Sequence, residues 1–322
     1  MSGRLPMTRQ LAGPAALALA ALVARRYYLD GRSKVEIAGE LGLSRFKIAR
    51  LLDMARDSGL VRIEIGHPGL IDADLAAQIM ERFRLKHAVV VDTEDDHVES
   101  MRRHLGQVAA ELLAEVVGPD DVLGVAWSRA VGAMAKALPR LSSVPVVQLT
   151  GALSMPDDDH SAIDIVRDVA RATSGPAYVF YAPFTVPDAA TAHALRRQHD
   201  IARAFDQLPR VTKAVVGLGL WAPGQSTIYD TAPEHDRKTL TRLGVCAELS
   251  GVFLAADGEP VQTDLTHRMI GVNAEQMSAI PEVTTIAYGT AKIPAAHAAL
   301  RSGLITGLVT HKTFAQALLD PT

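Results

Sequence analysis

Ser44, Arg45, Phe46, Lys47 and Arg50 stand close together near the start of the chain, with types and spacing that could grip a polyanion. In a helix, at about 100° per residue, Phe46 and Arg50 share one face, with Arg45 and Lys47 on its flanks. Ser44 is placed to cap that helix, whose cationic start offers backbone N–H groups and charge to phosphates and can reach base edges in a major groove. The plainer alternative is an amphipathic helix whose outer face is basic. A second set of residues lies far along the chain. Trp127-Ser128-Arg129, Thr150-Gly151, Gly217 with Gly219, and Gly289 with Lys292 each follow an apolar, strand-like run. Small residues let backbone N–H groups approach an anion, and Arg129 and Lys292 add charge, so a phosphorylated or polyhydroxy ligand is the expected guest. Any one of these glycines reads more readily as a tight turn; together, at equivalent strand ends, they shift the reading toward a site.

The elements that must position the first set form a helix-turn-helix. Ser33 and Glu36 make an S-x-x-E start, Ile37, Ala38 and Leu41 share a face, Gly42 ends the helix, and Leu43 drops between the two helices. From Arg45 onward, Ile48, Leu51, Leu52 and Ala55 form the buried stripe. Pro14 to Leu29 is expected to be a preceding helix. Val61, Ile63 and Ile65 alternate with charged residues as a short strand or wing, and Gly66-His67-Pro68-Gly69 is turn chemistry. The boundary falls there, giving a winged helix-turn-helix domain at 1–66 and an effector and oligomerisation domain at 67–322.

In the second part, apolar runs at 88–91, 122–126, 144–149, 177–181, 211–217 and 283–287 alternate with helical patterns at 72–84, 98–117, 130–138, 163–173, 189–205 and 295–301. This order predicts an α/β, Rossmann-like domain with a mostly parallel sheet covered on both faces. Ligands of such sheets bind beyond the carboxyl ends of the strands, where strand order reverses.

With 322 residues and 48% hydrophobic content the chain exceeds one ordinary core. Residues 1–66 carry 11 Lys+Arg against 6 Asp+Glu, and the remainder 22 against 30, so a basic head is joined to an acidic body. The single cysteine, Cys246, excludes an internal disulfide framework and fits a reducing compartment. The apolar stretch from Leu11 to Ala24 runs into Arg25, Arg26 and a tyrosine pair without a cleavage segment, and reads as the first helix, not a signal peptide. No stretch reaches a membrane span, and the expected location is the cytoplasm. Asp157-Asp158-Asp159-His160 lacks a partner at metal-binding spacing and reads as a solvated loop. No metal, cofactor or catalytic motif is expected.

The run YYLDGRSKVEIAGELGLSRFKIARLLDMARDSGLVRIEI resembles the DNA-binding head of SorC/DeoR-type bacterial transcriptional regulators, in its tyrosine pair, its I-A-x-x-L-G-L-S-R core and its A-R-x-x-G-L-V ending. Further on, AADGEPV, HRMIGV and AALRSGLITGLVTHKTFAQALL resemble their C-terminal sugar-binding domain, which is similar in fold to ribose-phosphate isomerase and glucosamine-phosphate deaminase. The resemblance implies operator DNA and a sugar, polyol or sugar phosphate as partners, and a homodimer or homotetramer. Three departures bear on the effector. A G-W-G-R-T-like loop is replaced by Ala126 to Ala130, Tyr288-Gly289 stands for a double glycine, and His311-Lys312 for an acidic pair. Glu248 occupies a position where the family commonly has Asp, and so joins the expected effector-binding residues. The rival reading is an active sugar-phosphate isomerase or deaminase with a DNA-binding head, for which Glu248 and Lys292 are the acid and base that can be named.

Overall fold

A computed structural model describes residues 13–61, 70–93, 97–153 and 161–320. The expected wing at Ile63 and Ile65, the turn at 66–69 and the Asp157 to His160 cluster lie outside the described residues. Contacts divide the chain into two compact units, Met1–Pro68 and Gly69–Thr322.

The first unit packs three helices, α1 (Pro14–Tyr28), α2 (Lys34–Leu41) and α3 (Arg45–Asp57). Ser33 and Glu36 form the reciprocal cap that starts α2: the Glu36 amide donates to Ser33 Oγ at 3.3 Å and the Ser33 amide to Glu36 Oε2 at 2.8 Å. Gly42 ends the helix at φ +64°, a left-handed turn that costs glycine nothing. Ile48, Leu51, Leu52 and Ala55 of α3 then close on Ala20, Val23 and Ala24 of α1 and Ile37 of α2. That small core fixes which face of α3 points outward.

The second unit opens with β1 (Leu70–Ile71), α4 (Ala73–Phe83), β2 (His87–Asp92), α5 (Val98–Val116), β3 (Leu123–Val125), α6 (Arg129–Ala137), β4 (Val146–Gln148), α7 (Ala162–Thr173) and β5 (Ala177–Tyr178). It continues through α8 (Ala189–Arg196), α9 (His199–Phe205), β6 (Lys213–Val216), β7 (Leu218–Leu220), α10 (Thr227–Thr231), α11 (Glu234–Arg242), β8 (Val245–Leu249) and β9 (Val252–Ala255). It ends with α12 (Asp264–His267), α13 (Ala274–Ser278), β10 (Glu282–Ile286), α14 (Ile293–Arg301), β11 (Gly307–His311) and α15 (Lys312–Leu319). Eight strands form the main sheet in the order β1-β2-β11-β10-β6-β3-β4-β5, parallel throughout except for β1 against β2.

Both faces are buried, as parallel strands require. Ala214 and Val216 of β6 pack on one side with α4, α14 and α15, while Val215 packs on the other with α5, α6 and α7. From β3 the chain steps outward to β4 and β5, and from β6 it steps the other way to β10 and β11. Strand order therefore reverses between β3 and β6, and their carboxyl ends open a crevice.

Several elements differ from the sequence reading, which did not place β1, α11, β11 or α15. The helix expected over 189–205 is broken at Gln198, whose backbone is extended. Ala192 and Ile201 lie nine positions apart, half a turn out of phase in one continuous helix, yet both enter the cluster around Phe180. Only a break brings them to the same side. The sequence reading also missed the antiparallel sheet β7-β8-β9, in which Ser250 (φ +48°) and Gly251 (φ +101°) make a two-residue hairpin turn.

Candidate functional site

On the first unit the buried stripe of α3 leaves Ser44, Arg45, Phe46, Lys47 and Arg50 in solvent. Ser44 Oγ caps the helix by accepting from the Lys47 amide at 3.2 Å, so its hydroxyl is part of the scaffold for the cations after it. Phe46 is 85% exposed, a large apolar side chain held out in water. Of the other cations of the unit, Arg26 and Arg32 share Glu40, and Arg56 pairs with Asp53. Among the described residues, Arg45, Lys47 and Arg50 have no ion-pair partner. The start of α3 thus carries three unpaired cations beside an exposed ring.

In the second unit a cavity of about 90 Å³ occupies the crevice predicted by the strand order. Trp127, Ser128 and Arg129 reach it from the end of β3, Thr150 from beyond β4, Gly217 from the β6–β7 junction, Gly219 from β7, Glu248 from β8 and Lys292 from beyond β10. Eight of the ten expected residues are therefore brought to one cavity.

Gly151 and Gly289 are not among the residues that line it. A Cβ on Gly151 would lie 2.7 Å from the Pro183 carbonyl, so that glycine serves close backbone packing. Gly289, at φ +82°, turns the chain out of β10 ahead of Lys292. Lys312, expected to alter the local charge of the pocket, instead holds Asp92 at 2.7 Å and Asp72 at 3.8 Å and does not line the cavity. Trp221 packs edge-on to Tyr229 and Phe253 and likewise stays out of it.

Sequence reasoning missed Leu153, Phe184, Ser250, Ile286 and the stretch 224–228 with Ser226, which also line it. It also left out Arg102, on α5, whose guanidinium donates to the Tyr288 hydroxyl beside the cavity while its Nε is buried without an acceptor. The S-G turn at Ser250 was the one local signal available for these.

Glu248 holds the site together. It is buried, accepts from Ser226 Oγ at 3.0 Å on one oxygen and from the Gly251 amide at 3.2 Å on the other. Gly219 makes room for it, since a Cβ there would fall 2.2 Å from Glu248 Oε1. The Gly217 amide donates to Ser250 Oγ at 2.9 Å, and the Trp127 amide to Thr150 Oγ1 at 3.1 Å. Ser128 Oγ caps α6 by accepting from the Val131 amide at 3.0 Å.

Burial pushes the Glu248 carboxyl above its ordinary range, against the hydrogen bonds of Ser226 and Gly251 and the charge of Lys292. Burial likewise pushes the Lys292 amine down; Glu248 opposes that shift, and Arg129 and Arg102 add to it. Lys292 Nζ donates to the Leu218 carbonyl at 3.1 Å and lies 5.5 Å from the centre of the Tyr288 ring. Lys292 thus faces a carboxyl that is itself biased toward neutrality and feels two further cations, Arg129 and Arg102. Such a pocket favours an anionic guest that also presents hydroxyls.

Residues 70–320 match the family model of a sugar-binding domain, Sugar-bind. The chain is 31% identical to the transcriptional regulator LsrR of Klebsiella pneumoniae over 94% of its own length and 92% of that protein. It is 30% identical to the transcriptional regulator YjhU of Escherichia coli K12, over 91% and 92% of the two chains. In fold it is similar to the full-length sorbitol operon regulator SorC of Klebsiella pneumoniae, with a TM-score of 0.72 at 23% identity over 95% of this chain and all of that one. Among the described residues, no helix is long and apolar enough to cross a membrane.

Proposed function

The chain belongs to the SorC-type family of transcriptional regulators with a sugar-binding domain, and we propose that it reads operator DNA with the start of α3 under the control of a phosphorylated sugar or polyol in the cavity between β3 and β6. Phe46, Lys47 and Arg50 address base edges, Phe46 through apolar contact of the kind a thymine methyl accepts, while Arg45 and the capped helix start address phosphates. Arg129, Lys292 and Arg102 take the anionic group of the effector. Glu248, Thr150 and Ser226 take its hydroxyls.

The observation that carries the effector reading is the pair of cations lining the cavity, Arg129 and Lys292, with Arg102 acting on Lys292 from behind Tyr288 and its Nε buried without an acceptor. The same geometry favours a sensor over an isomerase or deaminase. Both Glu248 oxygens already accept hydrogen bonds and Lys292 Nζ is engaged by a carbonyl, whereas an enzyme of that class needs a base free to take a proton from the sugar carbon. Assembly as a homodimer or homotetramer follows from the reading, because a two-fold pair of recognition helices about one duplex turn apart gives the effector a spacing to change.

A thermal-shift series of sugars, polyols and their phosphates tests the proposal. A true effector at 100 times its dissociation constant adds about 2.7 kcal/mol to the folded state. Stabilisation by phosphates over their free sugars, with a change in operator affinity, supports it. Equal responses, or steady turnover of a sugar phosphate followed by NMR, would overturn the sensor reading.

A further inference from the structure

The second unit holds another cavity, of about 170 Å³, that the effector reading does not use. Its walls come from Gly251 to Phe253, Pro260 to Gln262, the end of α12 through Met269, the stretch from Gly271 to Ala274, and Arg196 at the end of α8. Phe184 lines this cavity and the first one alike.

Arg196 is the unusual member. Its Nη2 donates to the Met269 carbonyl at 2.8 Å, its guanidinium lies 5.4 Å from the centre of the Phe205 ring, and its Nε is buried with no acceptor. Among the described residues no carboxylate pairs with it. Arg268, close by in sequence to the cavity wall, makes the contrast: Asp236 holds it through both oxygens at 2.8 Å, and Asp264 adds a third contact. A half-buried guanidinium without a counter-ion is costly, and burial indeed weakens its hold on its proton. Most of the remaining wall is apolar, with Phe184, Val252, Phe253, Val261 and Met269, and Gln262, Thr266, His267 and Asn273 supply polar atoms.

We propose that this cavity is a second ligand site, for a small organic carboxylate with an apolar or aromatic body, its carboxylate on Arg196 and its body against Phe184 and Met269. A sugar phosphate suits it less well, because Phe184, Val252, Phe253, Val261 and Met269 would face part of its hydroxyl-bearing ring. The two sites touch mechanically. A Cβ on Gly251 would lie 2.5 Å from Met269 Cε and 2.7 Å from Phe184 Cζ, and the Gly251 amide donates to Glu248 in the first cavity. A guest that turns Phe184 or shifts Met269 therefore acts on the turn that holds Glu248, and coupling of this kind runs in both directions.

Titration calorimetry with sodium benzoate and with benzamide, its neutral counterpart, tests the site on the full chain. Benzoate is expected to bind about tenfold more tightly than benzamide, the margin of a charge-assisted contact. Arg196→Gln should bring benzoate down to the benzamide level. Gln262→Trp, at an exposed wall position whose change leaves the core alone, should block both probes even if Arg196→Gln fails to fold. Arg129→Met, in the first cavity, should leave benzoate binding unchanged. Benzoate and benzamide binding alike or not at all, benzoate binding that survives Gln262→Trp, or binding lost in Arg129→Met would each overturn the proposal. None of these outcomes touches the sugar-phosphate response of the unaltered chain, so the two readings fail separately.

Discussion

In the first unit Arg45, Lys47 and Arg50 stand in water with no ion-pair partner among the described residues, whereas in the second Lys292 is half-buried beside a tyrosine ring and a carboxyl of raised pKa. The two settings suit different partners. Exposed charge on a helix costs little to maintain, acts through solvent over about 8–10 Å, and gains by releasing counterions from a polyanion. Buried charge is expensive to hold and acts only on a guest that replaces the water around it. A chain that must read a long polymer and sense one small molecule has reason to keep both kinds apart, and the charge split along the sequence, basic head against acidic body, is the same division in coarser form.

Substitutions that hit one half and spare the other sharpen this contrast. The largest effect is expected from Arg50→Ala, which should cost about 1–3 kcal/mol of operator binding and abolish the specific footprint, with effector binding intact. Lys47→Ala should act more evenly across sequences and lower the salt dependence by about one unit of slope if its contact is to phosphate. An unchanged footprint in Arg50→Ala would mean that α3 is not the reading helix. Next comes Gly219→Ala, which places a methyl in the space taken by Glu248 Oε1. Overpacking of this kind costs about 1–3 kcal/mol, and the effector-induced thermal shift should fall with it while DNA affinity without effector holds. Retained effector affinity in that variant would remove Glu248 from the site. Ser33→Ala, which deletes the reciprocal cap of α2, should cost about 1 kcal/mol, seen as faster amide exchange in the first unit only.

The same contrast explains what the sequence disclosed. In the head every signal is local: a serine three positions before a glutamate, a glycine at the left-handed position that ends α2, and four apolar residues at helical spacing name the caps, the turn and the outward face together. The cavity is assembled from strand ends far apart in the chain, so its residues could be listed only where a small or charged group followed an apolar run. That rule found Ser128 and Lys292 but included Gly151, whose missing side chain makes room for the backbone at Pro183. It passed over Phe184, Ser226 and Arg102, which look like ordinary loop or helix residues until the fold brings them together. The break between α8 and α9 was hidden for a related reason, since the demand that Ala192 and Ile201 share one cluster is tertiary.

The smallest effect separates the halves by the sign of their response to pH. Glu36, in the cap of α2, is held below its ordinary range chiefly by hydrogen bonds from the Ser33 amide and hydroxyl. Its contribution is present above the unfolded pKa and is lost as pH falls through the lower folded value. Glu248 is raised, chiefly by burial, so between the unfolded and folded values the native state binds more proton than the unfolded one. Its contribution is full below the unfolded value and is lost as pH rises through the folded one. Acidification from neutrality should therefore loosen amides of α2 while tightening those of β8, relative to Glu36→Gln and Glu248→Gln chains that lack the respective titration. Amide exchange resolved by residue, at a series of pH values corrected for intrinsic rates, reads both at once. A β8 response that Glu248→Gln leaves in place would show that another group titrates there, and the assignment of a proton-holding carboxyl to the effector cavity would fall.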